Sequence, residues 1–346
     1  MCTEFAINLF IQIYTLHTFT FYCRIFDKMI NTLASKPKKL VFDARIAWKA
    51  LNGIFAVYKP PIVTYLDARN SIIHRLCQDL NSMHVRRPIK HVCIEGDTTR
   101  TMKVFTHPSY ADHPLVVGPR YQPKDFVLIC ANYLSTDMSG LMICGINGGT
   151  KWAHKMKESK SPTSYRIKGL LGQATDTYFI TGKIVEKSTY KYIKRNAIDK
   201  ICASMQAAHQ RKMFELCGLD MQSQAAYELA VQGPIRPVDT NIPMIYNIKC
   251  TDFVSPEFTL EIVCVNENDM YLKTLVHDLG MQLHSVATCT QIQCFRYALF
   301  DLNLALLKKH WDLENFCDNI VQCNTIINEN KYLLKQDSPI LIERNK

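Results

Sequence analysis

Between residues 126 and 144 the chain reads apolar, polar, apolar. FVLIC (126–130) leads into a polar turn and LMIC (141–144) leads out of it. Apolar runs of this length, bounded by turn residues, predict buried strands. Two buried strands hold the connection between them on a rigid frame, which is a common way to present a reactive side chain. One carboxylate, Asp137, lies in the turn beside Ser135, Thr136 and Ser139. Most such turns carry no chemistry, so the weight given to this one depends on the rest of the chain.

The remaining pattern mixes both periodicities. GIFAVYKPP, from Gly53, predicts a buried strand stopped by Pro60 and Pro61, which cannot donate to a sheet ladder. Residues 67–80 predict an amphipathic helix, with Ile72, Ile73, Leu76 and Leu80 on one face. Residues 92–117 mix strand-like pieces with His, Pro and Thr, and no chemistry attaches to them. A strand over 165–173 turns at Gly172, and another starts at Gly182. Helices are expected over 197–213, 224–231, 269–283 and 311–333, and strands over 243–248, 259–265 and 285–300. Without a strict strand-helix alternation, the expected class is α+β with a mixed sheet.

Composition narrows the partners. Forty-one Lys and Arg against 31 Asp and Glu give a formal charge of +10, which favours an anionic partner such as RNA, DNA or an anionic membrane. A basic protein without such a partner fits equally. The 14 cysteines include no CxxC pair and no zinc-ligand spacing, so they read as reduced core thiols of an intracellular protein. Residues 5–23 are apolar, aromatic and Thr-rich. A membrane anchor, a targeting segment and an extension ahead of a second start at Met29 all fit. Thr15, Thr18, Thr20 and Gln12 interrupt the run and favour targeting or extension, with no stable membrane insertion. The stretch from Met29 is basic (Lys36, Lys38, Lys39, Arg45, Lys49), with Asp43 its one acid, close to a mitochondrial presequence.

Five motifs in order carry a resemblance: GIFAVYKPP, HPLVVGP, the polar turn ending SGLMICG, YRIKGLLGQATD with GKIVE, and YLKTLVHDLG. No single one is specific, but the series resembles the TruB-type RNA pseudouridine synthases, nearest their animal mitochondrial mRNA branch, from about residue 52 to 300. The resemblance implies a pseudouridine-synthase-like, mainly antiparallel sheet flanked by helices. It also implies a mitochondrial matrix protein whose partner is structured RNA, either tRNA or mitochondrial mRNA. The implied organisation is a poorly ordered targeting or extension segment over 1–50, a catalytic domain over 51–305 and a helical tail over 306–346. The implied reaction needs no metal and no organic cofactor. A loop Asp attacks the target uridine, the glycosidic bond breaks, and the base is reattached through carbon. Physically, a paired uracil must be swung out of its stem, a carboxylate nucleophile must be kept ionised and aimed by a cation, and an aromatic face offers stacking to a flipped base. Tyr165 falls on the family's Tyr, although a strand Tyr without a role is the plain alternative. Lys59 falls on its Lys-Pro, although a solvated Lys at a strand end fits almost as well. Asp176 reads as a turn tether.

The sequence also departs from the family. Its loop runs approximately G-H-R-L-D-x-x-x-S-G. Anchored on Leu134 and Ser139-Gly140, Asn132 takes the His place, Tyr133 the Arg place and Ser135 the nucleophile place. Asp137 then comes two residues late, about 7 Å in extended chain, where errors of about 1 Å already matter. Lys273 stands where the family has Arg, keeping the charge but losing the planar fork. Gln293 and Cys294 stand where relatives often carry Arg, and Thr163 where they often carry Lys. Three readings follow: a synthase with Asp137 as a displaced nucleophile, an RNA-binding factor on the same fold that has lost catalysis, and a protein-interaction scaffold. The catalytic set is therefore Asp137, Ser135, Tyr165 and Lys273, and the substrate-binding set is Lys59, Asn132 and Tyr133.

Overall fold

The apolar runs build the sheet. In the computed structural model, which describes residues 43–83, 89–96, 99, 101–232 and 242–330, the chain forms α1 (Ala44–Ala50), β1 (Gly53–Lys59), α2 (Tyr65–Ser82), β2 (Lys90–Glu95), β3 (Lys103–Pro108), α3 (Pro114–Val117), β4 (Leu128–Cys130) and β5 (Met138–Ile146). There follow α4 (Thr150–Glu158), β6 (Thr163–Leu171), β7 (Gln173–Thr175), β8 (Ile184–Lys187), α5 (Arg195–Leu216), α6 (Gln224–Gln232), β9 (Met244–Val254) and β10 (Glu257–Val265). The described chain closes with α7 (Asp269–Gln282), β11 (Ala287–Tyr297), β12 (Phe300–Asp301) and α8 (Leu313–Glu329). The apolar run over 5–23, most of the basic stretch after Met29 and the chain beyond Asn330 lie outside the described residues.

The main sheet runs β1-β5-β11-β6-β10-β9, with β4 added to β5 and β12 to β11. β5 and β11 are parallel and the other pairings antiparallel. This is the mixed, mainly antiparallel sheet the sequence predicts. Every residue of β5 is buried, so both of its faces are covered. One edge of β5 pairs with β1 along its length. The other edge is shared: β11 takes residues 138–140 and β4 takes 144–146. Gly140 sits at φ +117°, and a Cβ there would collide with the carbonyl of Cys294 on β11. Only glycine lets the two strands approach this closely.

The helices bury the stripes that their spacing predicts. α2 is capped by the Thr64 side chain and buries Ile72, Ile73, Leu76 and Leu80, and α7 buries Leu272, Leu275, Val276 and Leu279. α8 packs on β1, with the rings of Phe316 and Phe55 5.0 Å apart. Asn319 of α8 accepts from Ala56 N at 2.7 Å and donates to the Leu304 carbonyl at 2.7 Å. Residues 313–329 are thus joined to the sheet's core, and α1 buries Ala44 and Ala47 within the stretch expected to be poorly ordered. The sequence reading has no helix at α1 or α4 and gives 92–117 only as strand-like pieces. α4 is short and rich in Lys, and its stripe reduces to Ala153 and Met156. β2 and β3 form a separate two-stranded ribbon in which Cys93 alone is partly covered.

Candidate active site

The turn between β4 and β5 is fastened by backbone and side-chain hydrogen bonds. Ala131 N donates to Ile143 O at 2.8 Å, Met138 N to Ser135 O at 3.2 Å, and Ile62 N, just past the two prolines, to Thr136 O at 2.7 Å. Asn132 is buried and its amide bridges β5, donating to Leu141 O and accepting from Ile143 N, both at 2.9 Å. Lys59 closes the turn from the end of β1. Its ammonium donates to the carbonyls of Ser135 and Met138, each at 2.8 Å, and of Pro60 at 3.3 Å. Lys59 is therefore neither solvated nor free to grip RNA. It is 0% exposed, and burial drives its pKa down from 10.5 to about 8, against the pull of the Asp137 and Asp269 charges.

These bonds set Asp137 immediately ahead of β5. Its Oδ2 accepts from Lys273 Nζ at 2.6 Å, and Oδ1 makes no hydrogen bond among the described residues. Lys273 comes from the first turns of α7, whose N-cap Asn268 accepts from Tyr271 N. The same ammonium bonds Asp269 Oδ2 at 3.0 Å, one helical turn earlier, and lies 5.1 Å from the Phe179 ring. Burial alone would lower the pKa of Lys273, but the bonds and charges of Asp137 and Asp269 outweigh it and raise it. The Lys273 side chain is 6% exposed while that of Asp137 is 32% exposed. The cation is enclosed and the carboxylate reaches the surface, an arrangement suited to aiming an ionised nucleophile outward.

The segment after β7 covers Lys273. Tyr178 adopts φ +59° and its ring lies 4.9 Å from that of His277 on α7. Phe179 is held by Ile180 N to Cys289 O at 2.9 Å and Cys289 N to Tyr178 O at 3.0 Å. Asp176 accepts from Lys183 N at 2.9 Å, the turn tether its position suggests. Asp269 and Phe179 are part of the site and escaped the sequence reading. Asp269 has a readable signal, since it lies four residues ahead of Lys273 on a predicted helix. Phe179 has none.

The expected residues therefore divide. Asp137, Lys273, Lys59 and Ser135 come together at the turn. The Ser135 hydroxyl is buried without a hydrogen-bond partner among the described residues, and its carbonyl serves Lys59. Asn132 braces the strand instead of facing solvent, whereas Tyr133 is 73% exposed, edge-on to Tyr65 at 6.3 Å. Tyr165 stands apart. Cys294 of β11 pairs with Gly140 on one side and Tyr165 on the other. That puts Tyr165 two strands, about 10 Å, from β5 and about 10 Å along the sheet from the level of Asp137. It is 3% exposed and its hydroxyl donates to Glu267 Oε1 at 2.7 Å. It lies with Ile167 on the buried face of β6, opposite the exposed Arg166 and Lys168, so its ring offers no open face for stacking. Burial holds the Glu267 carboxyl above its ordinary pKa, against the bond from Tyr165. Gln293 and Cys294 bring no cation to β11, and Gln293 lies opposite Arg166, which pairs with Glu261 at 2.8 Å. Among the described residues no group of three His, Cys, Asp or Glu side chains could hold a metal ion, and no helix is long and apolar enough to cross a membrane.

Residues 133–271 match the model of the TruB family pseudouridylate synthase (N terminal domain). Over 283 residues the chain is 36% identical to "Pseudouridylate synthase TRUB2, mitochondrial" of Xenopus tropicalis, covering 80% of this chain and 86% of the frog protein. The Homo sapiens protein of the same name is 35% identical over 277 residues, 78% of this chain and 83% of its own length. The "tRNA pseudouridine synthase B" of Mesoplasma florum is 23% identical over 213 residues, 60% of this chain and 71% of its own length. Among solved structures, the archaeal box H/ACA sRNP Nop10-Cbf5 complex aligns with a TM-score of 0.40 at 11% identity, over 87% of this chain and 63% of that one.

Proposed function

The chain belongs to the TruB family of pseudouridylate synthases, and on that footing we propose that it converts uridine to pseudouridine in structured RNA with Asp137 as the nucleophile. The observation that carries this reading is the 2.6 Å bond between Lys273 and Asp137. It supplies the pairing that the chemistry requires, although Asp137 comes two residues later than the family pattern has its acid.

The roles follow from the geometry. Lys273 pairs with the Asp137 carboxylate and aims it, with Asp269 and Phe179 fixing the ammonium. Lys59 and Asn132 hold the turn and do not touch RNA. Tyr133, on the open side of the turn, offers the aromatic face on which an unpaired base stacks. Asp137 attacks the target nucleoside, the glycosidic bond breaks, and the freed uracil turns before rejoining through carbon. Tyr165, buried and engaged by Glu267, contributes packing. The substrates are tRNA or mitochondrial mRNA stem-loops, and the place of action is the mitochondrial matrix. The relatives' names support the tRNA and the mitochondrion, the basic stretch after Met29 supports import, and the mRNA and the matrix rest on the motif resemblance.

A second reading is favoured by Ser135, which occupies the family's nucleophile place without a base to activate it. On that reading the protein is an RNA-binding factor in mitochondrial RNA or ribosome maturation. Single-turnover reaction with uridine-containing tRNA and mitochondrial mRNA stem-loops separates the two. Pseudouridine formed by the wild type and lost in Asp137→Ala supports the enzyme. Intact binding without product in the wild type supports the factor.

A further inference from the structure

Two thiols bracket the turn that carries Asp137. Cys130 ends β4 and Cys144 lies directly opposite it on β5. The flanking bonds, Ala131 N to Ile143 O and Asn132 Oδ1 from Ile143 N, point from the neighbouring residues across this edge. Cys130 and Cys144 therefore form a non-hydrogen-bonded antiparallel pair, the kind in which Cα atoms come to about 4.5 Å. That lies inside the range of about 4.4–6.8 Å that a disulfide spans without moving the backbone. Their sulfurs are in contact at 2.8 Å and both cysteines are free. Cys144 is 0% exposed, whereas Cys130 is only partly covered, on the single strand that β4 adds to this edge.

We propose that Cys130 and Cys144 form a reversible thiol-modification site, cross-linked by exchange with a low-molecular-weight disulfide of the glutathione type. The unequal burial sets the order of events. The Cys130 thiolate attacks one sulfur of oxidised glutathione, forming a mixed disulfide and releasing one glutathione thiolate. Cys144, already in contact, gives up its proton to that thiolate and attacks Cys130 Sγ. The Cys130–glutathione bond breaks, the Cys130–Cys144 bond forms, and the second glutathione leaves. Two electrons pass from the protein to the small disulfide, giving one protein disulfide and two reduced glutathiones. The product ties together both ends of the turn holding Asp137, at a point where the strands are already in register. Its bearing on turnover rests on the reading of that turn as catalytic. The thiol chemistry does not.

The test uses the full-length chain, equilibrated with glutathione buffers of graded reduced-to-oxidised ratio, quenched with N-ethylmaleimide and mapped by peptide mass. The expected result is a Cys130–Cys144 cross-linked peptide that accumulates in oxidising buffer and disappears when reduced glutathione is added. Cys144→Ser should arrest the exchange with glutathione on Cys130, and Cys130→Ser should leave Cys144 as a free thiol. The thermal unfolding midpoint of the cross-linked protein should rise and return on reduction. Cys130 remaining fully alkylatable across the buffers, a cross-link to some other cysteine, or a midpoint that falls on oxidation would each overturn the proposal. None of these readouts involves pseudouridine, so a chain without turnover leaves the outcome decided.

Discussion

Lys273 Nζ meets Asp137 Oδ2 at 2.6 Å across 136 residues of sequence, joining the first turns of α7 to the start of β5. The lysine is buried and the aspartate is partly open, so the pair behaves as a fixed cation presenting a carboxylate.

Removing the cation should disarm the carboxylate and leave Asp137 and Asp269 facing each other. For Lys273→Met the rate of pseudouridine formation should fall by about 100-fold or more. Stability should fall by about 1–2 kcal/mol, less than for a fully buried pair because both carboxylates are near one-third exposed. Lys273→Arg should keep most of the rate. Single-turnover kinetics and urea titration measure both. A wild-type rate in Lys273→Met would exclude the pairing from catalysis.

Lys59 should give stability a pH signature. Its pKa is about 8 in the folded protein and 10.5 ordinarily. Between those values the unfolded chain binds more protons, so this group makes stability rise with pH there. Below about 8 both states are protonated and the contribution is constant. The slope should approach about 1.4 kcal/mol per pH unit. Unfolding free energies of the wild type and Lys59→Met, compared from pH 7 to 10.5, should show that extra slope in the wild type alone. Parallel curves would mean that Lys59 does not titrate in this range.

Asn132 and Tyr133 are neighbours with opposite expected effects. Asn132→Ala removes two buried hydrogen bonds and leaves Leu141 O and Ile143 N unpaired, costing about 2 kcal/mol. Tyr133→Ala, at an exposed site, should change stability by no more than about 0.5 kcal/mol. It should weaken binding to an RNA stem-loop by roughly tenfold through lost stacking. Chemical denaturation and filter binding on both variants check this. RNA affinity unaffected in Tyr133→Ala would remove that ring from the interface.

Tyr165→Phe separates packing from chemistry. The phenyl ring fills the same space, but Glu267 loses the donor at 2.7 Å. Stability should drop by about 1–3 kcal/mol, while the single-turnover rate at saturating RNA should stay within a few-fold of wild type. A loss of rate far exceeding the loss of stability would return Tyr165 to the catalytic set.

Much of the fold was legible because its signals are periodic. The stripe of Leu272, Leu275, Val276 and Leu279 marks α7, and the prolines after Lys59 mark the end of β1. α4 was not, since its buried face reduces to Ala153 and Met156 among lysines. At the candidate site, Asp137 is singled out by its polar turn and Lys273 by motif order, because an ion pair 136 residues apart leaves no local spacing to read. Lys59 reads as substrate-binding, with a solvated strand-end lysine as the alternative, because a lysine at the end of an apolar strand normally reaches water. Two of its three acceptors, the carbonyls of Ser135 and Met138, are brought near only by the tertiary fold. The alternation of Tyr165 and Ile167 with the exposed Arg166 and Lys168 does mark the buried face of β6, but the bond from Tyr165 to Glu267, 102 residues on, leaves no local spacing to read.

Where β11 stops and β4 has yet to begin, the edge of β5 would show bare peptide groups. The carboxamide of Asn132, itself the shape of a peptide, fills that vacancy. The loop between Ala131 and Met138 is thus a span between two anchored piers. Asn132 and Asp137 in it are fixed by their partners, and so is its length. With Met138 pinned in β5, one residue inserted or deleted between Asn132 and Asp137 would have to be absorbed within 133–136, at the expense of the bonds that the Ser135 and Thr136 carbonyls make with Lys59 and Ile62.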